Sequence, residues 1–233
     1  MNRRRVTEFA GSAALGAWVA FGALGLVVSG RHGAPLALDL TLHAWSLGHR
    51  PDMAVAVARG ITVTGTGVVP YALVVLAGLL AARTPRHRPG AALLGVLCLA
   101  SGQAARYAVM ELVGRPRPPE QDWQTHASGL SFPSGHSTTA ALAAGLVLLA
   151  LAVRAPHSRW GWRATVVCWA LAVGLTRVFL GVHWFTDVLG GWLFAVGWLG
   201  VWVCVAARLL PDRWLPPGPD ASADAPDLPT ATG

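Results

Sequence analysis

Six long stretches of this chain carry almost no charge, and that feature narrows the folds open to it more than any other. Residues 9–30, 60–82 and 188–207 contain no Asp, Glu, Lys or Arg. Residues 89–110 hold only Arg106, and residues 164–183 hold only Arg177. Residues 123–153 are uncharged, but Pro133, Ser134 and Gly135 interrupt the run and place a helix start near His136. A helix needs roughly 20 apolar residues to cross the hydrocarbon core of a bilayer, so each stretch is long enough. Composition agrees: 54% of the 233 residues are hydrophobic and 12% are charged, where a soluble domain carries about 25% charged residues. Mean hydropathy is +0.49. These figures argue against a water-soluble enzyme and against a disordered chain. The expected fold is all-α, a polytopic membrane bundle with six transmembrane helices over residues 9–210.

The net charge of +7 comes entirely from Arg, since the chain has no Lys. The Arg residues lie between apolar runs, which suits membrane topology better than nucleic-acid binding. Arg3, Arg4 and Arg5 precede the first run; Arg83, Arg86 and Arg88 follow the second; Arg154, Arg159 and Arg163 follow the fourth; Arg208 and Arg213 follow the sixth. Alternate loops are the basic ones, so both termini, including residues 1–8, are expected on the cytoplasmic side of the plasma membrane. The first run exceeds the 7–15 residues or so of a signal-peptide core, so a retained helix is expected. Residues 34–49 alternate apolar and polar side chains and read as a short helix lying in the interface. The tail over 211–233, rich in Pro, Asp and Ala, reads as disordered and cytoplasmic. Trp123, Trp160, Trp162, Trp184 and Trp214 fall near span ends, as an aromatic belt would. Cys98, Cys168 and Cys204 lie inside apolar runs, unpaired at any metal-ligand spacing, and read as small hydrophobic residues.

Ionisable groups within spans are costly and mark function. Here they cluster: Arg106 late in the third span, Arg115 and Arg117 just after it, His136 opening the fourth, and Arg177, His183 and Asp187 around the turn from fifth to sixth. Alternating passage through the membrane brings all of them to one face, and the Arg distribution makes it the non-cytoplasmic face. The residue types suit phosphate chemistry. Arg117 and Arg177 offer fork-shaped donors. Ser134 and Gly135 stand at a helix start, where backbone N–H groups and the helix dipole favour an anion. His183 and Asp187 are four apart, on one helical face, so the carboxylate orients the imidazole as a nucleophile. His136 is then the proton donor to the leaving oxygen. His126, Glu120 and Asp122 read as solvated loop residues, and Glu111 points away from the site.

These motifs resemble those of the type 2 phosphatidic acid phosphatase superfamily, which shares its catalytic core with the vanadium-dependent haloperoxidases. The family patterns are Lys-x6-Arg-Pro, Pro-Ser-Gly-His and Ser-Arg-x5-His-x3-Asp. The second stands intact at Pro133–His136, and the third reads Thr176-Arg177-x5-His183-x3-Asp187. The first keeps Arg117-Pro118 but has Met110 at the Lys position. The resemblance covers roughly residues 35–207. It implies a phosphohistidine at His183 supported by Asp187, protonation of the leaving group by His136, and phosphate held by Arg117, Arg177, Ser134 and Gly135, with no metal or other cofactor. Arg106, one turn before Met110, is the candidate to replace the missing Lys, with Arg115 as the alternative. The implied activity is hydrolysis of a lipid phosphate or diphosphate: phosphatidic acid, phosphatidylglycerophosphate or polyprenyl pyrophosphate. Membrane lipids are the expected partners and nucleic acid is not. A phosphotransferase using a lipid or sugar acceptor, and a non-catalytic lipid-phosphate-binding protein, are the alternatives. Six spans do not suit a soluble haloperoxidase.

Overall fold

The computed structural model describes residues 3–209 apart from Arg83 and 155–159. Arg159, Arg213, Trp214 and the tail expected to be disordered therefore lie outside the described residues, as does Arg83. The described chain is helical throughout: α1 (Arg3–Gly30), α2 (Ala37–Gly48), α3 (Asp52–Val63), α4 (Val68–Ala81), α5 (Arg88–Val113), α6 (Gly135–Arg154), α7 (Trp160–Phe179) and α8 (Phe185–Leu209). α1, α5, α6, α7 and α8 are each long and apolar enough to cross a membrane, α5 together with the short turn before it. The second expected span corresponds to the pair α3 and α4, which pass the same test only when taken together and are bent by 49° at the break between them. The described residues thus hold five spans, or six with the bent pair counted as one, and that pair departs from the expected single run over 60–82. It begins at Asp52, carries Arg59, and is interrupted at Thr64–Gly67. Gly67 adopts φ +66°, a left-handed conformation that glycine takes without steric cost. The fifth span stops at Phe179 and the sixth starts at Phe185, so His183 sits in the turn between them.

α6 occupies the centre, packed against α4, α7 and α8, while α1 lies along α8 and α3 along α7. Helices in lipid gain nothing from hydrophobic exclusion between them, and small residues let their backbones approach. At the α1–α8 seam a Cβ on Gly200 would lie 2.5 Å from the Ala14 Cβ and 2.8 Å from the Ala10 carbonyl oxygen. The inner surface is filled by Val74, Leu99, Leu142 and Ala195 at mid-depth and by Phe21, Phe132 and Phe194 towards the motif end. Large apolar side chains such as Leu26, Leu80, Leu93 and Leu112 face outward, as a lipid-facing shell requires. At the end opposite the motifs, Arg154 donates from Nε to the Leu80 carbonyl at 2.6 Å, satisfying the C-terminus of α4.

The segment read as an interfacial amphipathic helix does form, as α2, but its polar face is turned inward. Asp39, His43 and Ser46 are buried, and Leu38, Leu40, Trp45 and Leu47 are exposed. Asp39 and His43 pair with Arg115 and Asp122 of the protein instead. Trp184 likewise departs from the belt reading. It is buried, packs 5.3 Å from the His43 ring and donates from Nε1 to the Pro116 carbonyl at 3.1 Å. Trp160 and Trp162 are exposed at the start of α7, as expected.

Overpacking a tight seam costs about 1–3 kcal/mol. Gly200→Val is expected to lower the thermal unfolding temperature in detergent by several degrees. Gly22→Val, where a Cβ meets nothing within 4 Å, is expected to leave it unchanged.

Candidate active site

The α5 helix ends at Gly114, whose φ of +65° is a left-handed cap. The chain then runs through Arg115–Pro118 and returns to start α6 at Gly135, while α7 turns into α8 around His183. All three motifs therefore meet at one end of the bundle, enclosing a cavity of about 510 Å³. Arg106, Arg117, Arg177, Gly135, His136 and His183 line it, as the sequence predicts. Thr66 and Gly67 at the break of the second span, with Tyr71, form another wall. Gln103, Tyr107, Met110 and Thr139 complete it from α5 and α6, and the loop segment 126–129 covers the rim. Among the described residues, no acidic side chain lines the cavity.

His183 is held from both ring nitrogens. Nδ1 faces the Asp187 carboxylate at 3.4 Å and the Ser131 hydroxyl at 3.4 Å, and Nε2 faces Arg117 Nη1 at 2.8 Å. A proton on Nδ1 leaves the Nε2 lone pair directed at the cavity, where the guanidinium now donates to it. Burial lowers the His183 pKa to about 4; the Asp187 hydrogen bond opposes that fall and the Arg117 charge adds to it. Asp187 is fixed in turn. Its Oδ2 accepts the Trp184 N–H at 2.8 Å and the Ser131 hydroxyl, and its Oδ1 accepts Arg115 Nη1 at 2.6 Å.

The phosphate-binding candidates divide. Arg117 donates to the carbonyls of Ser128, Gly129 and Val182 at 2.8–2.9 Å, so its guanidinium is braced by the loop it faces. Burial outweighs the nearby Asp187 and lowers its pKa. Arg177 donates from Nη1 to Thr62 at 3.0 Å, and its buried Nε has no hydrogen-bond partner. Arg106 lies over the Tyr107 ring at 3.9 Å, donates to Gln103 Oε1 at 3.1 Å, and reaches the Met110 sulfur and the Pro133 carbonyl at 3.4 Å each. It occupies the space beside the position where the family has Lys. Arg115, the alternative, is turned away. It is fully buried behind Asp187 and does not line the cavity. Ser134 also departs from expectation: its Oγ meets the Ser137 hydroxyl at 3.0 Å and the Ser137 N–H at 3.5 Å, so it serves the start of α6 and is not in the cavity wall. Gly135 is, and the first N–H groups of a helix have no intrahelical partner.

His136 stands across the cavity with Nε2 at 3.5 Å from Thr66 Oγ1. Thr66 is one of three hydroxyls in Thr62-Val-Thr-Gly-Thr66. Thr62 accepts from Arg177, and Thr64 accepts from Trp169 Nε1 at 2.8 Å. The break in the second span thus carries hydroxyls to α6 and α7, which local sequence reading missed because it treated these residues as apolar span. His126 is exposed in the loop, as expected, and lies at the cavity rim. Asp122 accepts from His43 Nε2 at 2.9 Å; Arg50 bonds its carbonyl oxygen and not its carboxylate.

A region matching the PAP2 superfamily spans residues 91–210, which holds all three motifs. This chain belongs to the PAP2 superfamily. The resemblance drawn from the motifs is borne out. Phosphatidylglycerophosphatase B of Bacillus subtilis (strain 168) is 33% identical over 149 residues, 61% of this chain and 70% of that protein. Undecaprenyl-diphosphatase BcrC of the same organism is 30% identical over 142 residues, 58% of this chain and 67% of that one. A lipid A 1-phosphatase of Rhizobium etli is 34% identical over 96 residues, 38% of each chain. The crystal structure of a transmembrane PAP2-type phosphatidylglycerolphosphate phosphatase from Bacillus subtilis superposes with a TM-score of 0.67 at 25% identity, over 84% of this chain and 94% of that one. The PAP2 chain described here is accordingly an integral, multi-pass membrane phosphatase.

The buried imidazole predicts a spectroscopic result. The ¹⁵N signals of His183 are expected to report a neutral ring at pH 6, with titration near 4. Asp187→Asn removes the group that opposes the fall and is expected to move the titration lower still.

Proposed function

We propose that this PAP2 protein hydrolyses a lipid phosphate or diphosphate on the non-cytoplasmic side of the plasma membrane, through a phosphohistidine on His183. The observation that carries this reading is His183 itself: a neutral, buried imidazole fixed by Asp187 at Nδ1, with Nε2 facing a cavity lined by three guanidiniums. A protein that only bound the phosphate would need no oriented nucleophile. The phosphoryl group sits among Arg106, Arg117 and Arg177, with the start of α6 at Gly135 adding backbone donors. Arg117 transfers its donors from Nε2 to the phosphate as the substrate enters.

Nε2 attacks phosphorus, the bond from phosphorus to the lipid oxygen (or to the bridging oxygen of a diphosphate) breaks, and His136 gives that oxygen its proton. The charge that develops on the His183 ring is offset by Asp187. His136 then takes a proton from water, whose oxygen attacks phosphorus; the P–N bond breaks and inorganic phosphate leaves. Exposed apolar helices around the bundle give the lipid tail a lateral approach. Phosphatidylglycerophosphate and undecaprenyl diphosphate, the substrates named for the relatives, and phosphatidic acid are the candidate substrates. Sidedness rests on the basic loops. Arg86, Arg88, Arg154 and Arg208 stand at the end of the bundle opposite the cavity, which is the cytoplasmic end by the positive-inside rule, and the termini belong there too.

Phosphate release by the detergent-purified protein in excess EDTA tests this. Release from one of the three lipids that persists in EDTA and is lost in His183→Ala is expected; release that survives the substitution would overturn the nucleophile assignment. Arg106→Met is expected to lower kcat/KM about tenfold or more, the loss of one charged hydrogen bond. An unchanged value would remove Arg106 from the phosphate site.

A further inference from the structure

Arg115 lies outside the three-motif scheme, which uses only the second Arg of Arg115-Pro-Arg117-Pro. Yet Arg115 is fully buried and makes four hydrogen bonds. Nε donates to the Gly33 carbonyl at 3.2 Å, Nη1 to Thr186 Oγ1 at 2.7 Å and to Asp187 Oδ1 at 2.6 Å, and Nη2 to Asp39 Oδ2 at 2.8 Å. Asp39 is also fully buried. It accepts the Thr186 N–H at 2.8 Å at the head of α8 and the Leu36 N–H at 3.0 Å at the head of its own helix. One guanidinium is thus shared between the carboxylate that orients His183 and a carboxylate delivered by α2.

We infer that Arg115 and Asp39 are positioning residues that set the basicity of His183 through Asp187: Arg115 fixes and partly neutralises the Asp187 carboxylate, and Asp39 balances Arg115. The inference rests on His183 being the nucleophile. The charge count supports it. Arg115, Asp39 and Asp187 together carry one net negative charge, matching the single positive charge that His183 gains when its Nε2 is phosphorylated and Nδ1 keeps its proton. Without Asp39, the whole guanidinium charge would fall on Asp187 and weaken its support of that cation. Without Arg115, Asp187 would confront His183 with its full charge and one fewer anchor. A bare structural tie between α2 and α8 would not require Arg115 to sit on the oxygen of Asp187 away from the imidazole.

The other groups facing His183 are Arg117 and Ser131 from the loop before α6, Arg177 from α7 and His136 from α6. They are the same in every variant below, so a difference between variants reads the Arg115–Asp39 pair. The pair predicts shifts of opposite sign. Asp39→Asn should lower the His183 titration followed by ¹⁵N NMR, and with it the acid limb of kcat/KM. Arg115→Gln should raise both. Each shift is expected to be about half a pH unit, since one charge changes behind Asp187 and not against the ring. Arg115→Lys, which keeps the charge, should restore the wild-type limb. Thr186→Val, which removes a shared hydroxyl without altering charge, should leave the limb in place.

Should Arg115→Gln fail to fold, Asp39→Asn against Arg115→Lys decides the matter by the direction of its shift alone. Shifts of the same sign, or loss of rate and stability with no shift, would overturn the inference and leave the pair a structural tie. Wild-type protein quenched in alkali on each of the three candidate lipids, ³²P-labelled at the scissile phosphate, is the separate control. A phosphohistidine lost in His183→Ala supports the nucleophile, and its absence overturns the mechanism from which this inference follows.

Discussion

A single guanidinium, that of Arg115, joins everything at the functional end of the bundle. The turn after α1, the inward face of α2 and the first turn of α8 all end their polar groups on it or on the carboxylates it holds. In a low-dielectric interior such a set is stable only when every charge is paired and every donor used, and here each of the three guanidinium nitrogens donates. Taking away one partner from a buried ion pair typically costs about 3–5 kcal/mol, so this end of the protein has little freedom to rearrange. His183, the proposed nucleophile, shares that rigidity, because the carboxylate it faces is also the one held by Arg115.

The large features of this protein were legible in its sequence because they follow from solvent alone. A charge-free run of 20 residues has few destinations, and the three motifs lie at span ends whose alternation brings them together. His183 and Asp187 do meet as their spacing suggests, but not on one helical face: His183 stands in the turn before α8, and Asp187 reaches it from the first turn of the helix. What was not legible depends on partners far away in the chain. Asp39 and His43 look like the wet side of an interfacial helix until Arg115 and Asp122 are known to face them. Arg115 looks like a headgroup contact or a spare phosphate ligand until Asp39 appears beside it. The three threonines of Thr62–Thr66 are apolar by average and polar by position, since their hydroxyls reach side chains on α6 and α7. Ser134 was assigned by motif to the phosphate, but the first turn of its own helix claims the hydroxyl.

Met110 stands where the family has Lys, and Arg106 brings a cation to the same part of the cavity wall. Arg106 lies four residues earlier on α5, hence on the same face, and its longer, forked side chain covers the distance of one helical turn. The thioether now packs under that guanidinium at 3.4 Å. On the proposed reading, a family pattern written as a residue at a fixed place is satisfied as a cation in a fixed volume.

The cavity holds three guanidiniums and no carboxylate in its wall. Such a site is out of electrostatic balance whenever it is empty, and the molecule stands to gain stability by closing on an anion. The phosphoryl group is then more than a passenger at the site. On the proposed reading it is, for as long as it stays, the counterion to these three guanidiniums, so that the affinity holding the substrate would also retain the released phosphate. Letting the product go means restoring that imbalance on every turnover.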